Sequence, residues 1–312
     1  MVQSLGMPAS VEIKKSSSVR WTRRSLLHLA GAGLALGGVG AARAQPGPTV
    51  VYPNLNGNGA DNLGYRVLEL ALQRCGKPST LQLHPMAVND ERARAMLRRG
   101  EVNVADFGSG AEFEKAFSAI YFPIDRGLLG YRISLIHHSL EPEFTRVNTL
   151  TQLQRFRAGQ GIGWSNNAIM QAAGIAVVTG PTLESLFPML EAKRFDFLPL
   201  GLNEVYGFSE QYGDFAPSMV VDPRMLLVYR FARLFYVRPD SHELHAMVLS
   251  GLKRAFADGS FQKLLASDPS VRRALQRAKL AQRATITLDN PLITEAFMGI
   301  PDEYYFKPSE FK

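Results

Sequence analysis

His242-Glu243-Leu244-His245 comes nearest to a metal-hydrolase signature, but its histidines are three apart, whereas a zinc protease helix carries them four apart on one face. The segment reads as the start of an exposed helix. His137 and His138 are adjacent in an extended run, where successive side chains leave opposite faces, so they are not expected to share a metal. Asp106-Phe107-Gly108 matches a kinase tripeptide without the Gly-rich and His-Arg-Asp loops that phosphoryl transfer needs. Gly108-Ser109-Gly110 lacks the five-residue frame of a nucleophile elbow. Gly31-Ala32-Gly33 resembles part of a dinucleotide fingerprint but belongs to a leader segment. The single cysteine, Cys75, follows Leu70-Ala71-Leu72 at a helix end and reads as a packed thiol, since alone it closes no internal disulfide. These residues imply no catalytic group, no metal site and no cofactor. The chemistry left is recognition.

The 312 residues are 46% hydrophobic and 20% charged, with 27 Gly and 18 Pro, which excludes disordered, collagen-like and coiled-coil classes. The length suffices for two domains with buried cores. The formal charge of +7 sits mainly at the front: residues 1–44 hold six Lys or Arg and one acid, leaving 29 basic and 27 acidic residues beyond them. A nucleic-acid partner is therefore not expected. Ser25 to Gly40 is a Gly- and Ala-rich apolar run ending in Ala42-Arg43-Ala44, which reads as an export signal cleaved after Ala44. Thr22-Arg23-Arg24-Ser25-Leu26-Leu27 resembles a twin-arginine signal, which implies the twin-arginine export machinery as partner of the precursor and a periplasmic location. The alternative is an uncleaved anchor, but a spanning helix wants about 20 strongly apolar residues, and this run is shorter and interrupted by His28.

Beyond the leader, strand-length apolar runs alternate with helical patterns. Thr49 to Tyr52 predicts a strand stopped by Pro53-Asn54-Leu55-Asn56-Gly57, Leu63 to Gly76 a helix, and Thr80 to His84 a strand. Glu91 to Arg99 predicts a helix and Val102 to Phe107 a third strand, all in a parallel series whose ligand-facing loops follow Tyr52 and Asp106. A second series follows: strand Gly161 to Trp164, helix Asn167 to Ala173, strand Ile175 to Val178, helix Leu183 to Arg194 and strand Phe195 to Leu198. Two long extended runs, Gly127 to Ile136 and Met225 to Val237, are placed as connectors between the series. Leu244 to Phe256 and Phe261 to Leu265 are helical, and the tail is expected to return to the first lobe.

This order, with the tail Leu252-Lys253-Arg254-Ala255-Phe256-Ala257-Asp258-Gly259-Ser260-Phe261, resembles family 3 of the bacterial extracellular solute-binding proteins. Gly127-Leu128-Leu129-Gly130-Tyr131-Arg132, Arg194 to Glu204 and Leu288-Asp289-Asn290-Pro291-Leu292 resemble an uncharacterised branch of it. The resemblance implies a two-lobed α/β fold, each lobe a mainly parallel sheet flanked by helices, joined by a two-strand hinge. Lobe 1 would be residues 45–130 and 232–312 and lobe 2 residues 131–231, with a small-molecule solute bound between them.

The resemblance also carries the site. Amino-acid receptors of the family hold the solute carboxylate with an arginine after the third strand, a position read here as Phe113, and the ammonium with an acid that falls near Leu200-Gly201. Both handles being absent, common α-amino acids are expected to bind weakly and a less charged or aromatic solute better. Arg126 or Arg132 would supply a displaced cation, or else serve as solvated or hinge residues. Contacts are expected from Tyr52 and Asn54 at the first strand end, from Asp106 and Ser109 at the third, and from Trp164 by stacking. Ser165, Asn166 and Asn167 at a helix start, and Asn203 with Glu204 at another, complete the set, with capping as the alternative role for several. The expected function is a monomeric receptor serving an ABC permease or reporting to a membrane sensor. The alternative is an enzyme on the same architecture, resembling cyclohexadienyl dehydratases, with Glu112, Glu114 or Glu204 as its acid.

Overall fold

The computed structural model describes residues 47–307. The expected signal segment and its cleavage after Ala44 lie outside the described residues. β1 (Thr49–Leu55) and β2 (Thr80–Val88) pair in parallel across α1 (Leu63–Arg74). Asn62 caps α1 by accepting from the Tyr65 N–H, and Val67, Leu68, Ala71 and Leu72 recur on its buried face. Both strands outrun their turn formers. β1 continues through Pro53 with a register shift between Tyr52 and Asn54, and β2 passes Pro85. A two-stranded ladder has free edges, where a residue without an N–H breaks no second pairing.

α2 (Asp90–Arg99) begins at Asn89, whose side chain accepts from the Arg92 N–H, with Asp90 and Glu91 in its first turn and Arg98 and Arg99 in its last. It stops at Gly100 in the left-handed conformation, φ 76°. β3 (Val104–Gly108), α3 (Ala111–Ala116) and β4 (Ser118–Ile120) follow. Here the expected parallel series ends. β3 pairs antiparallel with β11 (Arg233–Val237), which also pairs with β4, because the returning chain takes the position between them. Phe107 stacks on Tyr236 across that pair, centroids 4.1 Å apart.

The second half builds a larger sheet. β5 (Tyr131–His137) leads through two short helices, α4 (Glu141–Phe144) and α5 (Leu150–Leu153), to β6 (Arg157–Gly161), α6 (Asn166–Ala172) and β7 (Ala176–Gly180). α7 (Leu183–Glu191), β8 (Phe197–Gly201), α8 (Val205–Gln211), β9 (Met219–Val221) and β10 (Met225–Val228) complete the series. The strand expected at Gly161–Trp164 is therefore displaced toward the N-terminus. The chain turns after Gly161, and the Trp164 indole folds back over that glycine, where a Cβ would lie 2.4 Å from the ring.

The tail forms α9 (His242–Ala257), α10 (Ser260–Ser267), α11 (Pro269–Arg277), β12 (Ala284–Thr287) and α12 (Glu295–Met298). α9 packs on α1 so closely that a Cβ on Gly251 would meet the Ala71 carbonyl oxygen at 1.9 Å. β12 departs from the expected return to the first lobe. It pairs in parallel with β10, giving the sheet order β12-β10-β5-β8-β6-β7, with β9 beside β5. His137 and His138 also depart from expectation. β5 ends at His137 and a 3-10 turn begins at His138, so the rings stack at 4.7 Å instead of diverging. Among the described residues, no group of three metal-binding side chains forms, and no helix is long and apolar enough to cross a membrane. Cys75 is buried and free, its Sγ 3.1 Å from the Leu72 carbonyl oxygen.

The two connectors meet where the sheets join. The first is a 3-10 turn, Leu128–Gly130, running into β5, and the second is the stretch 229–232 between β10 and β11. The Tyr229 N–H donates to the Gly130 carbonyl at 3.1 Å, and a Cβ on Gly130 would stand 2.4 Å from the Tyr229 carbonyl oxygen. Asp125, 1% exposed, ties the crossing by accepting from the N–H groups of Gly127, Leu129 and Arg233 at 3.0, 2.8 and 3.1 Å. Burial pushes its pKa up, and those three bonds pull against it without cancelling the rise.

Candidate functional site

A cavity of about 380 Å³ opens at this crossing, within the range of small-molecule sites. Its first wall comes from Ala87 to Glu91 at the β2–α2 junction, from Arg94 on α2, and from Phe107, Gly108 and Phe113. The opposite wall comes from the turn Gly161–Asn166, from Pro181–Glu184 entering α7, and from Glu204 and Phe208. Leu129, Arg132, Phe231 and Arg233 form the floor from the connectors. The ligand end of a strand series and the hinge thus coincide.

Two cations of the floor are already engaged. Arg132 is 2% exposed. Its Nη2 donates to Asn166 Oδ1 at 2.9 Å, its Nη1 lies 3.9 Å from Glu204 Oε2, and its guanidinium lies over the Tyr229 and Phe231 rings. The Tyr229 hydroxyl donates to the same Asn166 oxygen at 2.9 Å. Burial raises the Tyr229 pKa, while the adjacent Arg132 opposes the rise. Arg233 pairs with Asp106 and lies 3.5 Å from Asp90. Burial acts against its charge, but Asp106 and Asp90 outweigh that and hold its pKa well above the ordinary value. The Tyr52 hydroxyl donates to Asp106, and burial followed by that carboxylate drives its pKa well up. Asp106 therefore acts beneath the cavity, neutralising Arg233, and the Tyr52 hydroxyl supports that carboxylate by donating to it.

Of the expected contact residues, Arg132, Trp164, Ser165, Asn166 and Glu204 line the cavity. The others lie off it. Asp106 is spent on Arg233 and Tyr52 on Asp106, and Asn54 accepts from the Gly59 N–H at 3.0 Å to shape its own loop. Ser109 exchanges bonds with Ala232 across β3 and β11. Arg126 reaches the Tyr305 carbonyl at 2.9 Å and lies over the Phe306 ring, so it anchors the tail. Asn167 donates to the Gly161 carbonyl at 3.1 Å, and Asn203 stays outside the lining with its Oδ1 near Gly201. Of the acids considered for an enzyme, Glu114 accepts from Tyr121 at 2.9 Å and from Thr294 at 2.5 Å, Glu112 is exposed outside the lining, and only Glu204 faces the cavity. Glu204 folds back to accept from the Gly201 N–H at 3.0 Å, so its carboxylate fills the space a side chain at 201 would take.

Sequence reasoning missed Arg94, Arg233, Asp90 and Glu91. A signal existed for each: α2 starts directly after a strand end, and Arg233, like Arg230, interrupts a largely apolar run. Phe113 packs at the rim as an aromatic floor for Arg94, 4.9 Å from guanidinium carbon to ring centroid.

No family model matches the chain, and no curated protein matches it. Solved structures do. An amino-acid ABC transporter substrate-binding protein from Streptococcus pneumoniae, bound to L-arginine, is 15% identical, with 74% of this chain and 95% of that one covered and a TM-score of 0.52. An ancestral arginine-binding protein bound to glutamine is 14% identical over 71% of this chain and 98% of its own, TM-score 0.53. A histidine kinase sensor domain with similarity to periplasmic binding proteins is 14% identical, covers 71% and 96%, and has a TM-score of 0.53. At these identities the likeness establishes the architecture: a two-lobed fold of the periplasmic-binding-protein type, sheets flanked by helices on either side of a cleft.

Proposed function

We propose that the chain is a solute receptor that captures a small molecule between its lobes and does not turn it over. The cavity at the crossing of the two connectors carries this reading, because a solute touching both walls there stabilises the closed arrangement over the open one. This reading assigns lobe 1 to residues 45–130 and 232–312 and lobe 2 to residues 131–231, with the pairing of β12 to β10 pointing to a second-lobe place for that strand. The resemblance to the family 3 solute-binding proteins, the shared fold and the Arg23-Arg24 leader support export through the twin-arginine route, cleavage after Ala44, a periplasmic location and delivery to an ABC permease. The likeness to a sensor domain supports a second reading, in which occupancy is reported to a membrane sensor protein.

The test is a solute screen by thermal shift followed by X-ray scattering. A ligand at 100 times its dissociation constant adds about 2.7 kcal/mol of stability, a readily measured rise in melting temperature. A stabilising solute should also compact the protein with little change in circular dichroism. Stabilisation without compaction would contradict hinge closure, and turnover of a dihydroaromatic acid abolished by Glu204→Gln would replace the receptor with an enzyme.

A further inference from the structure

Arg94 reaches from α2 into the cavity with its guanidinium over two rings, 4.9 Å from the centroid of Phe113 and 5.7 Å from that of Phe107. Stacking uses the face of the guanidinium and leaves its edge of N–H donors open. That edge meets no acceptor or carboxylate among the described residues, whereas Arg132 and Arg233 in the same cavity both have theirs. Gly163, on the turn that leads into α6 in the opposite wall, lies close by: a Cβ there would stand 3.4 Å from Arg94 Nη2. An oriented, half-buried fork of donors without a partner is matched by a planar anion accepting two parallel bonds.

We propose that Arg94 is the anion anchor of the cleft, and that the solute is a monocarboxylate with an apolar, ring-sized body. The body follows from the surrounding walls, where Phe107, Phe113, Trp164, Phe208 and Phe231 supply apolar surface. A single negative charge follows from Glu91 and Glu184, exposed acids of the lining that repel a second one. A carboxylate seated on Arg94 also touches the turn at Gly163, so the same contact bridges the lobes. This rests on the receptor reading and names its solute class.

The experiment uses the exported protein with matched probes: benzoate, phenylacetate and cinnamate, their primary amides, and inorganic sulfate. Thermal shift and titration calorimetry are run on the parent and on Arg94→Gln, Arg94→Lys and Arg98→Gln. Arg98 is the control, because it lies on the same helix over Phe117 at 5.6 Å and outside the cavity. At least one carboxylate should bind while its amide does not. Arg94→Gln should weaken that binding by about 10- to 100-fold, as expected for a charge-assisted hydrogen-bonded pair. Arg94→Lys should lose less, keeping charge without the fork, and Arg98→Gln should change nothing. Carboxylate binding kept within twofold in Arg94→Gln overturns the proposal. So does binding of amides or other neutral solutes in preference to carboxylates; if those solutes compact the protein, the receptor reading stands while the anchor falls. Sulfate binding alone, lost in Arg94→Gln, keeps the anchor but overturns the carboxylate assignment. Failure of every probe to bind overturns the solute class, and it overturns the receptor reading too only where the wider screen finds no compacting ligand.

Discussion

Asn166 holds two buried donors on one oxygen, from Arg132 and Tyr229. Asn166→Ala should therefore cost about 2 to 3 kcal/mol, since a buried charged donor left without its acceptor loses more than one bond's net worth. Urea denaturation checks this against Asn167→Ala, whose amide meets only the Gly161 carbonyl and should cost about 1 kcal/mol. Arg233→Met leaves Asp106, 1% exposed, as an uncompensated buried charge, and should destabilise by about 3 to 5 kcal/mol. A loss under 1 kcal/mol would mean that Asp106 finds another partner. The family resemblance suggested Arg132, Trp164 and Asn166 as contacts, and all three line the cavity. Residue types left Tyr52 and Asp106 indistinguishable from ligand contacts, because a polar residue at a strand end looks the same whether it faces solute or a buried arginine.

At the level of elements, the crossing of the connectors is sensitive to small changes. Gly130→Ala puts a Cβ against the Tyr229 carbonyl and should cost about 1 to 3 kcal/mol in denaturation, as overpacking does. Asp125 gives the crossing a pH dependence. Its pKa is raised in the folded chain, so its contribution is full below the ordinary aspartate value of about 3.9 and is lost as pH rises through the folded value. The stability of the parent relative to Asp125→Asn should therefore fall as pH climbs above about 4. A difference that stays flat would show that the three N–H bonds cancel the cost of burial. Helices were legible from apolar periodicity, as along Leu63–Arg74, while the caps at Asn62 and Gly100 came from the structure. Strand ends were not, because Pro53 and Pro85 forbid pairing only on a side where a neighbour exists.

For the whole molecule, export is testable apart from binding. If the proposed twin-arginine export holds, replacing Arg23 and Arg24 with Lys should hold the precursor in the cytoplasm, because that route reads the pair and not its charge. Normal export of that variant would assign the leader to the general secretory route. Mass spectrometry of the exported protein should give Gln45 as its first residue.

Local order is written in short-range patterns: α/β alternation, several helix spans and two long connectors depend on periodicity over a few residues. Pairing and charge neutralisation come from contacts between distant segments. β11 lies between β3 and β4, and β12 pairs with β10, although the partners are far apart in the chain. Arg94 and Arg233 read alike as arginines near strands. Arg233 is spent on Asp106, and Arg94 faces the cavity with no acid partner among the described residues, because which acids stand within 4 Å is fixed by packing across more than one hundred residues of sequence.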